Sequence, residues 1–410
     1  MSAGGKTDPA RLALVFASVG HSFSHLFVLL YATVVLVVER EWNLPYDQLA
    51  WLSLPGFVLF GAAALPAGWL ADRWSAAGMI AVMFVGLGLA SIATGLATGP
   101  LGLLLGLSAI GLFAAIYHPV GIAWLVRSAS NQGRALGING VFGSAGTAGA
   151  ALVAGGLADL LGWRAAFIVP GLVCLGVGLV FVAGMRAGWI VESRTDAVPR
   201  PAPERGDVWR AFWVLSLTML MTGLIYQSLS VAMPKVFAER AAGLAGDGFL
   251  GIGALVSGVY ALSAMAQIAG GELADRFDMR RVYLVSQWVT LVPLALAALA
   301  MDAPLVVLAL AAVSANTIGQ PSENGLLARY TPAAWRGRAF GAKFVLTFGV
   351  SSLGVALVPA IHRLTGSLDG LFWVLAGFAV LGGIAAFLLP SGRDAEGKAG
   401  ATAPAATPAE

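Results

Sequence analysis

Gly68-Trp69-Leu70-Ala71-Asp72-Arg73 stands at the end of one long apolar run, and Gly271-Glu272-Leu273-Ala274-Asp275-Arg276 stands at the end of another, 203 positions on (271 minus 68). The shared Gly-x-x-x-Asp-Arg punctuation has company. His118-Pro119 followed by Arg127 matches Gln320-Pro321 followed by Arg329, and Gly133-Arg134-Ala135-x-Gly137 matches Gly337-Arg338-Ala339-x-Gly341. Three pairs in one order at a nearly constant offset make the chain two repeats of about six helices each, with the same orientation.

Composition says what surrounds those repeats. Of 410 residues, 58% are hydrophobic and 11% charged, where a soluble domain carries roughly 25% charged residues. Crossing a bilayer takes about 20 mostly apolar residues per helix. Runs of that kind fall at 12–38, 48–71, 78–98, 101–126, 135–158, 165–185, 210–235, 250–272, 281–301, 304–328, 339–361 and 368–390. They are unbroken rather than alternating with period two, and backbone groups in lipid must be satisfied within their own segment, so helices are expected and a barrel is not. The expected fold is an all-α polytopic membrane protein with twelve transmembrane helices, arranged as two pseudo-symmetric six-helix bundles around a central cavity. Residues 1–185 make the first bundle and 210–390 the second. Between them 186–209, with Pro199, Pro201 and Pro203 among mixed charges, reads as a cytoplasmic linker, and 391–410, rich in Ala, Pro and Gly, as a disordered cytoplasmic tail. Met1 to Ala10 is polar and the run after it is far longer than the core of a cleaved leader, so it reads as a retained first helix.

Lys and Arg set the topology. On the side of the N-terminus the loops hold Lys6, Arg11, Arg73, Arg127, Arg134, Arg186, the linker arginines, Arg276, Arg280, Arg281, Arg329, Arg336, Arg338, Arg393 and Lys398; the other side holds only Arg40, Arg164, Lys235, Arg240 and Arg363. Positive residues resist translocation, so both termini are expected in the cytoplasm of a cell whose inner membrane the chain crosses. A net charge of +3 with no basic block gives no sign of nucleic-acid binding. The single cysteine, Cys174, excludes an internal disulfide and a multi-cysteine metal site.

On these residues the chain resembles the major facilitator superfamily over about residues 10 to 390: six plus six helices, a charged central linker, and the Gly-x-x-x-Asp-Arg turn between helices 2 and 3 that returns between 8 and 9. The resemblance implies alternating access, with the turn as a conformational latch built from Gly68, Asp72, Arg73 and Arg127 in one half and Gly271, Asp275, Arg276 and Arg329 in the other. A fixed acid in a short turn can approach the positive end of a neighbouring helix, which is the physical sense of such a latch. Ser75, Ala76 and Ala77 depart from the family's more basic turn, while Arg280 and Arg281 partly keep it. A narrower similarity, to fosmidomycin-resistance-like efflux carriers, rests on Ser24-His25, on His118-Pro119 with Arg127, and on the glycines from Gly133 to Gly149. It implies proton-driven export of small molecules. Helix 5 lacks the Gly-Pro pair usual in such antiporters, and Gly106 stands near the place of their basic residue on helix 4.

Ionisable groups at membrane depth are expensive and call for a role. His21 and His25 are four apart and share a face of helix 1, and Tyr117 and His118 lie inside helix 4. Tyr226 and Gln227 sit mid-way along helix 7, and Asn316, Gln320 and Glu323 fall at i, i+4 and i+7 on helix 10. If helices 1, 4, 7 and 10 line the cavity, as the resemblance implies, these side chains converge there. For each histidine the plain alternative is a neutral imidazole bonded to a backbone carbonyl or a neighbouring helix. For the set, proton transfer is the more economical reading, since imidazole titrates near neutral pH. A metal site is conceivable from the i, i+4 pair with His118, but no carboxylate or thiol accompanies them, so neither a metal nor any cofactor is expected. Glu323, with Lys343 on helix 11, is either a static buried pair or the coupling carboxylate.

The expected function is therefore secondary transport of a small organic solute with protons as coupling ion, export favoured, by a monomer in a lipid bilayer. Symport of a small organic acid is the alternative, with Arg127, Arg329 or Lys343 as its cation. A transport-inactive sensor is the alternative of another class. An enzyme is not expected, because no nucleophile with its base and no acidic metal cluster can be assembled within the spans.

Overall fold

The structure, a computed structural model, describes residues 8–129, 131–190, 205–331 and 336–390, and only the backbone of 205–207, 336–338 and 340. Most of the expected linker and all of the expected tail lie outside the described residues.

Among the described residues twelve long helices follow one another: α1 Pro9–Trp42, α2 Tyr46–Arg73, α3 Ala76–Gly95, α4 Pro100–Ser128, α5 Gln132–Leu161, α6 Ala165–Arg186, α7 Val208–Arg240, α8 Phe249–Arg276, α9 Met279–Ala297, α10 Asp302–Tyr330, α11 Gly341–Thr365 and α12 Asp369–Phe387. Eleven are long and apolar enough to cross a membrane by length and composition. The remaining one, α9, opens on Arg280 and Arg281 and carries Ser286, Gln287 and Thr290. Asp278 caps it by accepting from the Arg281 N–H at 3.0 Å, and Arg240 draws off the carbonyls of Ala297 (2.8 Å), Ala298 (3.2 Å) and Ala300, which ends it at Ala297. Other helices starting at this same end carry equivalent caps: Asp8, Ser75 and Asn131 accept from the Ala10, Gly78 and Arg134 N–H groups.

Lipid explains the outer surface. Leu160, Leu172, Leu179, Leu262, Val285 and Leu299 are exposed, as apolar side chains are where the solvent is hydrocarbon. Trp69, Trp74, Trp189, Trp209 and Trp213 are exposed at helix ends on the side of the termini, the position of an interfacial aromatic belt. Inside, large side chains such as Phe27, Phe84, Trp124 and Phe181 form one core with Cys174, whose thiol donates to the Phe84 carbonyl at 3.4 Å.

Four helices leave regular α geometry, among them α2, which passes through a 3-10 turn at Trp51–Ser53 and breaks again at Ala63. In α4 the turn Tyr117–Gly121 is π-helical; Pro119 has no N–H to give and its ring would strike the preceding turn, which the wider winding relieves. In α10 the break falls at Gly319, just before Gln320-Pro321, the position equivalent to His118-Pro119 in the other half. In α11 Val345–Gly349 is π-helical, and Gly349 lies directly against Gly61 of α2, so close that a Cβ on Gly61 would overlap its backbone.

Candidate functional site

A cavity of about 540 Å³ lies between the bundles, within the size range of small-molecule sites. Helices α1, α4, α7 and α10 line it, and so do α5, α8 and α11. Its lining lies mostly in the helix halves nearer the termini, reaching Leu136 close to the start of α5 and Asn324 close to the end of α10, both exposed. The cavity therefore communicates with that end.

The N-terminal wall is histidine. The rings of His21, His25 and His118 form a nearly equilateral triangle, with centroids 5.0, 5.2 and 5.4 Å apart. His21 is held on three sides. Its Nδ1–H donates to the Asn139 carbonyl at 2.8 Å, its ring stacks on Tyr117 at 4.7 Å, and Gly143 lies so close beneath it that any Cβ would overlap the ring. Tyr117 is fully buried behind this stack and accepts from the Asn139 amide at 2.6 Å, so it supports the wall without lining it. His118 faces Phe60, Phe344 and Phe348, at 5.5, 5.1 and 4.8 Å.

The C-terminal wall carries the charge. Glu323 is 4% exposed, with Lys343 Nζ 2.6 Å from one oxygen and the Tyr283 hydroxyl donating to the other at 2.8 Å. Lys343 also donates to Asn324 Oδ1 at 2.5 Å. Beside them Gln320 accepts from Gln267 at 3.1 Å, and Tyr226 meets Thr147 of the other half at 3.4 Å. Two expected members stand elsewhere. Gln227, one residue and about 100° round the helix from Tyr226, is buried away from the cavity. Asn316 precedes the break at Gly319, which turns it off the face of Gln320 and Glu323, and it donates to the Thr222 carbonyl at 3.4 Å.

The far end is shut by contacts between the halves. Lys235 of α7 binds both carboxylate oxygens of Glu39 of α1, at 2.9 and 3.0 Å, and lies 4.8 Å over the Tyr46 ring. Asp159, near the end of α5, accepts the Phe249 and Leu250 N–H groups at 3.1 and 2.7 Å, placing a negative charge at the positive end of α8. The cations expected to be scarce on this side are thus mostly engaged: Arg240 pairs with Asp369 and Arg164 with Glu41.

Seven helices converging on one cavity, open at one end and closed at the other, is the geometry of a carrier, and the profile of the Major Facilitator Superfamily matches residues 14–257 and 215–409. The chain belongs to this superfamily. It is a multi-pass membrane transporter and not an enzyme. The puromycin resistance protein of Streptomyces alboniger is 31% identical over 178 residues, 41% of this chain and 34% of the relative, so the match spans about a third of that relative's length. Among solved structures, a bacterial homologue of the human lysosomal transporter Spinster matches in an inward-facing unoccupied form (TM-score 0.69) and an inward-facing occupied form (0.72). Both are 16% identical, covering 94% of this chain and 95% and 97% of theirs. The peptide transporter POT bound to alafosfalin matches with a TM-score of 0.70 at 17% identity, over 95% of each chain. At these identities the likeness is one of fold.

The superfamily's turn residues are at the surface here. Asp72, Arg73, Asp275, Arg276 and Arg329 are exposed and Arg127 half-buried. Arg73 lies over the Trp69 ring at 4.1 Å, and Arg276 pairs with Glu272 at 3.6 Å. Gly68 faces Pro119 at the bend of α4, and Gly271 lies one turn before Asp275. Arg280 instead caps the end of α12, donating to the Phe387 and Leu389 carbonyls at 2.9 Å each. Sequence reasoning missed Tyr283, Thr222, Asn139, Glu39 and Asp159, because nothing in their spacing marks which helix each one faces. Tyr283 alone offered a signal, as a polar aromatic in the least apolar helix.

Proposed function

We propose that this transporter exports a small amphiphilic organic solute across a bacterial inner membrane in exchange for protons, with Glu323 as the coupling carboxylate. The observation that carries the reading is the Glu323–Lys343 pair on the cavity wall, with the Tyr283 hydroxyl bonded to Glu323 from behind. A carboxylate held by a cation and a hydroxyl stays ionised, and one parted from them in a dry site takes a proton. Any rearrangement that moves α10 against α11 or α9 parts the carboxylate from the cation or the hydroxyl that holds it, which couples its state to the conformation. The bias of Lys and Arg toward the termini supports a cytoplasmic location for them, and with it an inward-open state for this conformation.

Export is supported by the likeness to a puromycin resistance protein and by the apolar lining around Phe344 and Phe348. An importer of organic acids would need a cavity cation for its substrate. Lys343 is taken by Glu323, and neither Arg127 nor Arg329 lines the cavity.

The test uses everted membrane vesicles carrying a proton gradient, with puromycin as the first probe and a gradient-sensitive dye as the readout. Puromycin should release protons through the parent protein and not through Glu323→Gln, while Glu323→Gln still exchanges labelled puromycin. Unchanged proton release in Glu323→Gln removes this carboxylate from the path. A susceptibility and growth screen of a deletion strain fixes direction: drug sensitivity means export and failure on a carbon source means import.

A further inference from the structure

We propose that His21, His25 and His118 bind one divalent transition-metal ion of the zinc and cobalt class on the N-terminal wall of the cavity. Along the chain, residue types argued against a metal, since no carboxylate or thiol accompanies the histidines. In space the argument reverses. One ring nitrogen from each of the three lies within 4.8 Å of those of the other two. With metal–nitrogen bonds of about 2.0–2.1 Å, a tetrahedral site sets its nitrogens roughly 3.3 Å apart, so closing the triangle moves each inward by no more than about 0.9 Å. Small side-chain rotations cover that distance.

The surroundings fit a ligand set better than a packing cluster. The Asn139 carbonyl can only accept, so His21 carries its proton on Nδ1 and leaves the Nε2 lone pair available. Asn139 in turn holds Tyr117, which stacks on the same imidazole and fixes its plane. A carbonyl or carboxylate behind a metal-binding histidine is the usual device for setting tautomer and orientation. His118 sits on the π-helical turn of α4, a distortion frequent at functional sites. Among the described residues the ring nitrogens of His25 and His118 have no hydrogen-bond partner, and Phe60, Phe344 and Phe348, which offer none, surround them.

Three imidazoles with no oxygen ligand select borderline ions over magnesium and calcium, which take oxygen. Because all three side chains line the cavity, the fourth coordination position faces water or solute, the pattern of an open site rather than a closed structural one. The site stands apart from Glu323, which is on the opposite wall, so it does not depend on the coupling reading.

Titrating purified protein in detergent with Co²⁺ should produce intense ligand-field absorption saturating at one equivalent, abolished by excess Zn²⁺. His25→Gln and His118→Gln should each weaken binding by about 10- to 100-fold or more, while His362→Gln retains it. Zinc-edge X-ray absorption on the unmutated protein gives a reading that needs no variant, with three imidazole nitrogens expected in the first shell. No saturable band in monodisperse protein, a band of unchanged affinity in either cavity-histidine variant, or a first shell with fewer than three imidazoles overturns the proposal.

Discussion

Glu39→Gln is the sharpest perturbation of the closed far end. Lys235 and Glu39 are 12% and 27% exposed in their side chains, and Nζ contacts both carboxylate oxygens. Hydrogen bonds to charged groups contribute about 1.5–3 kcal/mol net, and the neutral amide that replaces the carboxylate recovers about 0.5–1.5 kcal/mol. Lys235 also keeps Glu239 at 3.4 Å. The remaining loss is on the order of 1–2 kcal/mol, which changes the ratio of far-end-open to far-end-closed molecules by about 5- to 30-fold. Adding Asp159→Asn removes the charge at the α8 N-terminus, worth about 0.3–1 kcal/mol at an exposed site, and the two should add because they act on separate helix pairs. Spin labels at Leu101→Cys and Leu364→Cys report the outcome, both positions being exposed at that end and in opposite halves. Cys174, fully buried, is replaced by Ala as background. The long-distance population should rise in Glu39→Gln and rise again in the double variant. Identical distance distributions in all three, with each protein monodisperse, refute the claim that this seam holds the conformation.

Lys343→Met alone should lower thermal stability in detergent markedly, because removing one partner of a buried pair costs about 3–5 kcal/mol; Glu323→Gln with Lys343→Met should recover most of the loss, and a double variant no better than the single one would show that the pair is not coupled. Tyr283→Phe removes a hydrogen bond to a charged group, and a stability loss of about 1.5–3 kcal/mol is expected with little change in puromycin binding. Gly61→Ala should push α2 from α11 and cost about 1–3 kcal/mol, read as a lower unfolding midpoint. Gly143→Ala should displace His21 and weaken Co²⁺ binding while leaving proton release intact, and undiminished Co²⁺ affinity would contradict the packing of Gly143 against that ring.

Much of the fold was legible before any coordinates because the quantities that decide it are one-dimensional. Whether a segment crosses a bilayer depends on its length and summed polarity. The offset between Gly68-x-x-x-Asp72-Arg73 and Gly271-x-x-x-Asp275-Arg276 needed no structure either, nor did the pairing of Pro119 with Pro321, whose helices both depart from α geometry at that point. The site was legible only as a list of unusual residue types. Helices that are apolar all round give no sign of which face turns inward, so sequence reasoning could not separate Tyr226 from its neighbour Gln227, and it took Asn316 to share a face that the break at Gly319 divides. The same blindness hid Tyr283 behind Glu323, Glu39 opposite Lys235, and the three histidine nitrogens facing one another. Those arrangements depend on how far each helix is rotated about its axis and how it crosses its neighbours, which only the packed bundles determine.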